Sequence, residues 1–190
     1  MRQKHCCVNI PRVAGKIPFL VFILIFCGCS SSKNTIIADS LDATPVISGA
    51  VVNASLMARG GSLVLGAFKP GAGAVADDQT DQISGMILKG IRDALPENAP
   101  AFKIQSNSKA TPDYILEGII ENYGRTGPSP HPLRKNQIFM SVDGNIWLTQ
   151  TGEKILLFRT SIIIDLKTQN SISEAYQVGA AIARFIGTNK

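Results

Sequence analysis

QIFMSVDGNIWLTQTGEKILLFRTSIIID, residues 137–165, decides the fold of this chain. Ile138, Met140, Val142, Ile146 and Leu148 alternate with Phe139, Ser141, Asp143, Asn145, Trp147 and Thr149. Successive side chains of a strand point to opposite faces, so this spacing predicts one long strand with two different faces. Thr151-Gly152-Glu153-Lys154 supplies turn chemistry, and the apolar-rich run Ile155 to Asp165 returns. A long hairpin is expected.

Outward from the hairpin, Asp113 to Tyr123 alternates in the same way. Tyr114, Leu116, Gly118 and Ile120 lie on one face, and Ile115, Glu117, Ile119 and Glu121 on the other. Ser62–Phe68 and Phe102–Gln105 are short apolar runs that suit buried strands. Between them, Asp77 to Leu95 reads as a helix whose apolar stripe is Ile83, Ile87, Ile91 and Leu95. Asp77 or Asp78 can cap its start, and Pro96 is expected to stop it. Gly85 and Gly90 lower helix propensity by about 1 kcal/mol each, which suggests close packing on a sheet. Ser171-Ile172-Ser173-Glu174 has the form of a capping box opening a second helix, with a stripe at Ile172, Tyr176, Gly179, Ala183 and Ile186.

The resulting order is β-α-β-β-β-β-α. Strands joined by turns are mostly antiparallel, and two helices can cover one face, so the expected class is an α+β two-layer sandwich. Residues 46–58, VISGAVVNASLMA, read either as a short strand or as a segment laid across the domain.

The amino terminus is an address. Arg2, Lys4, Arg12 and Lys16 precede the apolar run Ile17–Phe26, with no acid among them, which is the pattern of an export signal. The run is shorter than the roughly 20 residues a comfortable membrane span needs. It ends in Phe26-Cys27-Gly28-Cys29, which resembles a bacterial lipobox with Cys29 as the lipid-bearing residue. The plainer alternative is an ordinary signal peptide cut nearby. Lipidation would give stable anchoring, since each buried methylene contributes about 0.8 kcal/mol. Ser30 after the cysteine, in place of Asp, implies sorting to an outer membrane and a domain facing the periplasm. The expected organisation is a signal peptide over 1–28, lipidated Cys29 and a tether to residue 58, and an envelope domain over 59–190.

Composition then excludes several classes. The leader holds four of the 19 Lys and Arg and none of the 14 acids, leaving 15 against 14 and a net charge of +1. No basic stripe remains to neutralise phosphates, so nucleic acid is not an expected partner. Cys6, Cys7, Cys27 and Cys29 all fall in the leader or at the anchor, so neither a disulfide nor a Cys-ligated metal is expected in the domain.

Gly71-x-Gly73-x-x-Ala76 has the spacing of a dinucleotide-binding turn. Such a site needs bare N–H groups at the following helix start, whereas Asp77, Asp78 and Asp81 crowd it. The stretch is expected to be a turn that holds no nucleotide. His131, flanked by Pro130 and Pro132, has no partner for a catalytic triad. Glu117 and Glu121 would stand about 13 Å apart along a strand, wide for two carboxylates working on one bond. Arg134-Lys135 is an isolated basic pair. Neither a catalytic set, nor a metal site, nor a cofactor is expected.

"GSLVLGAFKPG", "TPDYILEGIIENYGR" and "GNIWLTQTGEKILLFRTSI" together resemble a family of envelope lipoproteins. That family includes the curli secretion lipoproteins, the lipoprotein activators of penicillin-binding proteins and the amino-terminal domain of TolB. The resemblance spans residues 62–187 and implies a non-enzymatic part of an envelope assembly. A lipid- or small-ligand-binding lipoprotein of the LPS-assembly type is the alternative. On the sheet face away from the helices, Ile115, Ile119, Phe139, Trp147, Leu157 and Ile163 are interrupted by Glu117, Asp143, Asn145 and Arg159. A half-apolar face ringed with charge is expected to bind a protein partner or a second copy, unless residues 46–58 fold across it.

Overall fold

The computed structural model describes residues 44–106, 110–125 and 132–189. The elements run β1 (Val46–Val51), α1 (Ala54–Arg59), β2 (Gly61–Gly73), α2 (Asp78–Asn98), β3 (Phe102–Ile104), β4 (Tyr114–Gly124), β5 (Gln137–Leu148), β6 (Lys154–Asp165) and α3 (Ser171–Thr188). The strands form one mixed sheet in the order β1-β6-β5-β4-β2-β3. The class is α+β, a sheet with helices packed on it, as the alternation predicts.

The hairpin expected over 137–165 is the centre of the sheet. β5 and β6 pair antiparallel from Gln137↔Asp165 to Trp147↔Lys154, and β4 pairs antiparallel with the other side of β5. The remaining pairings depart from the turn-joined expectation. β2 lies between β3 and β4 and is parallel to both. The reason is the helix between them: β2-α2-β3 is a crossover, and a helical crossover returns the chain parallel to where it started.

The first strand lies inside the stretch read as tether. Val46–Val51 pairs in unbroken antiparallel register with β6, from Val46↔Ser161 to Val51↔Leu156. Of the two readings of residues 46–58, the strand holds for Val46–Val51. It adds to the edge of the sheet and does not cross the open face. Behind it, Asn53 caps α1 by accepting a hydrogen bond from the Leu56 N–H at 3.1 Å, and Met57 is fully buried.

The core lies between the helices and one face of the sheet. Leu116, Ile120, Met140, Val142, Ile146 and Leu148 are buried there with Ile83, Ile87, Ile91 and Leu95 of α2 and Val178, Ile182 and Ile186 of α3. Tyr114 closes one end: its ring meets Phe102 edge-on at 5.5 Å, and its hydroxyl donates to the Leu56 carbonyl at 3.3 Å.

Several local expectations shift. Asp77 caps α2, accepting from the Thr80 N–H at 2.8 Å, but the helix continues through Pro96 to Asn98. A proline in the last turn removes a single backbone donor, and the Ala99 N–H still reaches the Leu95 carbonyl at 2.8 Å. The cap of α3 is Asn170, one residue before the expected Ser171; its side chain accepts from the Ile172 N–H at 2.9 Å. Gly90 packs on α3 and not on the sheet, and Gly85 has open space around it.

Candidate functional site

Gly71 and Gly73 belong to β2, so the expected turn is displaced to residues 74–77. They are glycines because β4 approaches closely. A Cβ on Gly71 would come within 2.8 Å of Ile119 Cγ2, and one on Gly73 would overlap Asn122 Oδ1. At the start of α2, the Asp77 side chain already accepts from the Thr80 N–H, and hydrogen bonding to Thr80 holds its carboxyl below the usual carboxylate range. An incoming phosphate would meet that charge. Nearby, a hollow of about 310 Å³ is lined by Val75, Asp77, Gln79, Thr80, Tyr123, Gly124, Ile138 and Leu166. Gln79 donates across it to the Tyr123 hydroxyl at 2.8 Å, so polar groups divide its apolar walls.

Among the described residues there is no cluster of three or more His, Cys, Asp or Glu able to hold a metal ion. No helix among them is long and apolar enough to cross a membrane. Cys29 and His131 lie outside the described residues. Glu117 is on the open face, whereas Glu121 sits at a register shift between Ile120 and Asn122. Arg134 and Lys135 offer their carbonyls to the Arg125 guanidinium, a loop contact.

The open face of the sheet is where the predicted residues meet. Directly opposed strand residues share a face. Ile115 stands opposite Trp147, Glu117 opposite Asn145 and Ile119 opposite Asp143 across β4 and β5. Across β5 and β6, Phe139 opposes Ile163, Asp143 opposes Arg159 and Asn145 opposes Leu157. All six apolar residues are thus on one face. Their exposure is uneven: Ile119 and Leu157 are 43% and 39% exposed, while Ile115, Trp147 and Ile163 are half-buried.

Phe139 is the correction. It is on the predicted face, but only 6% of it is exposed, so it presents nothing to a partner. Alternation assigns a side chain to a face; it does not report what packs beside it at the end of the strand.

Charge and hydrogen bonding fill the spaces between these side chains. The Arg159 guanidinium donates Nε–H to Asp143 Oδ1 at 2.6 Å, and its second nitrogen donates to Oδ2. This paired carboxylate raises the arginine further above its ordinary value. Asn122 donates to Ser141 Oγ at 2.8 Å. Trp147 Nε1 and Asn145 Oδ1 are buried without a hydrogen-bond partner among the described residues. β1 extends the face with Val46, Ser48 and Ala50, which sequence reasoning left out; a shallow hollow of about 380 Å³ runs from Ser48 to Asp143 and Arg159. The alternation of VISGAV was the available signal.

A single mixed sheet with helices on one face and charged, partly apolar side chains on the other defines a fold, not an activity. No family model matches the chain, and no curated protein matches it. Solved structures do. A PelC dodecamer from Paraburkholderia phytofirmans is 12% identical, with a TM-score of 0.51 over 76% of this chain and 98% of that one. A variant of the same PelC, also a dodecamer, is 10% identical with a TM-score of 0.52 over the same shares. A lipoprotein from Neisseria meningitidis is 14% identical over 67% of this chain and 98% of that one, with a TM-score of 0.39.

Proposed function

We propose that this chain is a non-enzymatic lipoprotein of the cell envelope, held by lipid on Cys29 to an outer membrane and facing the periplasm, where its open sheet face docks onto a protein partner or a second copy. The observation that carries the reading is that face. Ile119 and Leu157 are exposed beside half-buried Ile115, Trp147 and Ile163, with the Asp143–Arg159 pair among them. Apolar side chains rimmed by charge suit a protein interface. Two similarities support it. The fold matches that of PelC, which forms dodecamers, so this architecture is compatible with self-association. The amino-terminal stretch ends in Phe26-Cys27-Gly28-Cys29, which resembles a lipobox. The finer resemblance to curli-secretion, penicillin-binding-protein activator and TolB-type domains rests on the quoted strand motifs and leaves the particular machine open.

The test is crosslinking in intact cells. Trp147→Glu and Leu157→Glu are expected to abolish the species crosslinked through probes placed on the open face, while leaving the thermal transition in place. Unchanged crosslinks would remove the open face from the reading. Cys29→Ala is expected to release the chain from the membrane fraction and to end labelling by a palmitate analogue; persistent labelling would refute the anchor.

A further inference from the structure

We infer that the edge of β1, unpaired among the described residues, is a second interaction surface, and that its occupant is β1 of another copy of this chain, paired antiparallel about a two-fold axis at Gly49. This contact uses the backbone edge of the sheet at the rim of the open face, and does not involve Trp147.

An edge strand exposes a row of backbone N–H and C=O groups, which proteins normally guard with charge, proline, a bulge or shortness. The opposite edge is guarded: β3 is three residues long and carries Lys103. β1 has none of these devices. Its six residues, VISGAV, hold no charge and no proline, and its pairing with β6 shows no register shift.

The hydrogen-bond parity defines what the edge offers. The Val52 N–H donates to the Ile155 carbonyl at 2.9 Å, continuing the register of Val51 with Leu156. In an antiparallel ladder alternate residues bond to alternate sides, so Val46, Ser48 and Ala50 face β6 with their backbone groups. Those of Ile47, Gly49 and Val51 point outward.

A second copy fits this row. With Gly49 opposite Gly49, Ile47 falls opposite Val51, and every outward group meets a partner. The same register sets Val46 opposite the partner's Val52. These are two of the most exposed large apolar residues described, at 68% and 55%, and each would cover the other at both ends of the contact. Ser48 and Ala50 face one another between them. An isologous contact of this kind needs only one self-complementary patch. Nothing bulky can grow at its centre, because a Cβ on Gly49 would come within 2.8 Å of the Phe185 ring above it.

The test uses the full-length chain in detergent, followed by sedimentation velocity across a concentration series. The wild type is expected to show a monomer–dimer equilibrium that survives Trp147→Glu. V46K combined with V52K places like charges opposite one another and is expected to weaken dimerisation at least about tenfold. V46K combined with V52E places unlike charges opposite and is expected to recover most of the loss. Both positions are exposed, so unchanged circular dichroism and thermal transitions are expected throughout. The inference falls if the wild type is monomeric, if the double lysine variant dimerises unchanged, or if V46K with V52E is as weak as V46K with V52K.

Discussion

Gly90 of α2 and Gly179 of α3 stand directly against one another. A Cβ on Gly90 would lie 3.1 Å from the Gly179 Cα, and one on Gly179 would lie 3.0 Å from the Gly90 Cα. Each would also overlap a backbone carbonyl, that of Tyr176 or of Ile87. The two helices therefore approach through backbone, with no side chain between them. Gly179→Ala is expected to destabilise the domain by about 1–3 kcal/mol, since backbone cannot give way as a side chain can. Gly85→Ala, on the exposed side of α2 with nothing nearby, is expected to stabilise it by about 0.5–1 kcal/mol. Urea unfolding of the pair measures both signs; equal effects would refute the helix contact.

Ser62 and Asp113 clamp the start of β2 to the start of β4. The Ser62 N–H and hydroxyl both donate to Asp113 Oδ2 at 2.8 Å, and the Asp113 N–H donates back to Ser62 Oγ at 2.9 Å. These bonds hold the Asp113 carboxyl below its ordinary value of 3.8. A carboxyl depressed in the folded state contributes stability that is present above its unfolded pKa and lost as the pH falls through the folded one. Acid unfolding is therefore expected to set in below about pH 4. Asp113→Ala is expected to cost about 1–2 kcal/mol at pH 7 and to flatten that acid limb. A variant whose stability falls with acid as steeply as the wild type would show that the clamp contributes nothing.

Asn170, and not Ser171, accepts from the first free N–H of α3. Asn170→Ala is expected to cost about 1 kcal/mol, and more than Ser171→Ala. Thermal melts of the two variants decide between the caps.

Gly73→Val is expected to unfold the end of β2 against Asn122, independently of any ligand. Calorimetry of the wild-type chain with ATP, GTP or NAD is expected to show no heat. Micromolar binding to any of them would overturn the structural account of these glycines.

What this chain determined by itself was local. The basic stretch before residue 17, the apolar run after it, the two-faced strands over 137–165 and the stripe Ile83–Ile87–Ile91–Leu95 depend on neighbours a few residues away, so period and composition reveal them. The faces were legible for the same reason: a strand side chain's side follows from counting by two, which put Ile115, Trp147 and Leu157 together before any pairing was known. Tertiary structure decided what lies between distant segments. β2 entered between β3 and β4 because α2 carried the chain back in parallel, and VISGAV joined β6, more than a hundred residues later, through backbone bonds that any sequence could make. The burial of Phe139 and the meeting of Gly90 with Gly179 belong to the same class. A glycine in a helix reports that something comes close; only the packed chain shows what does.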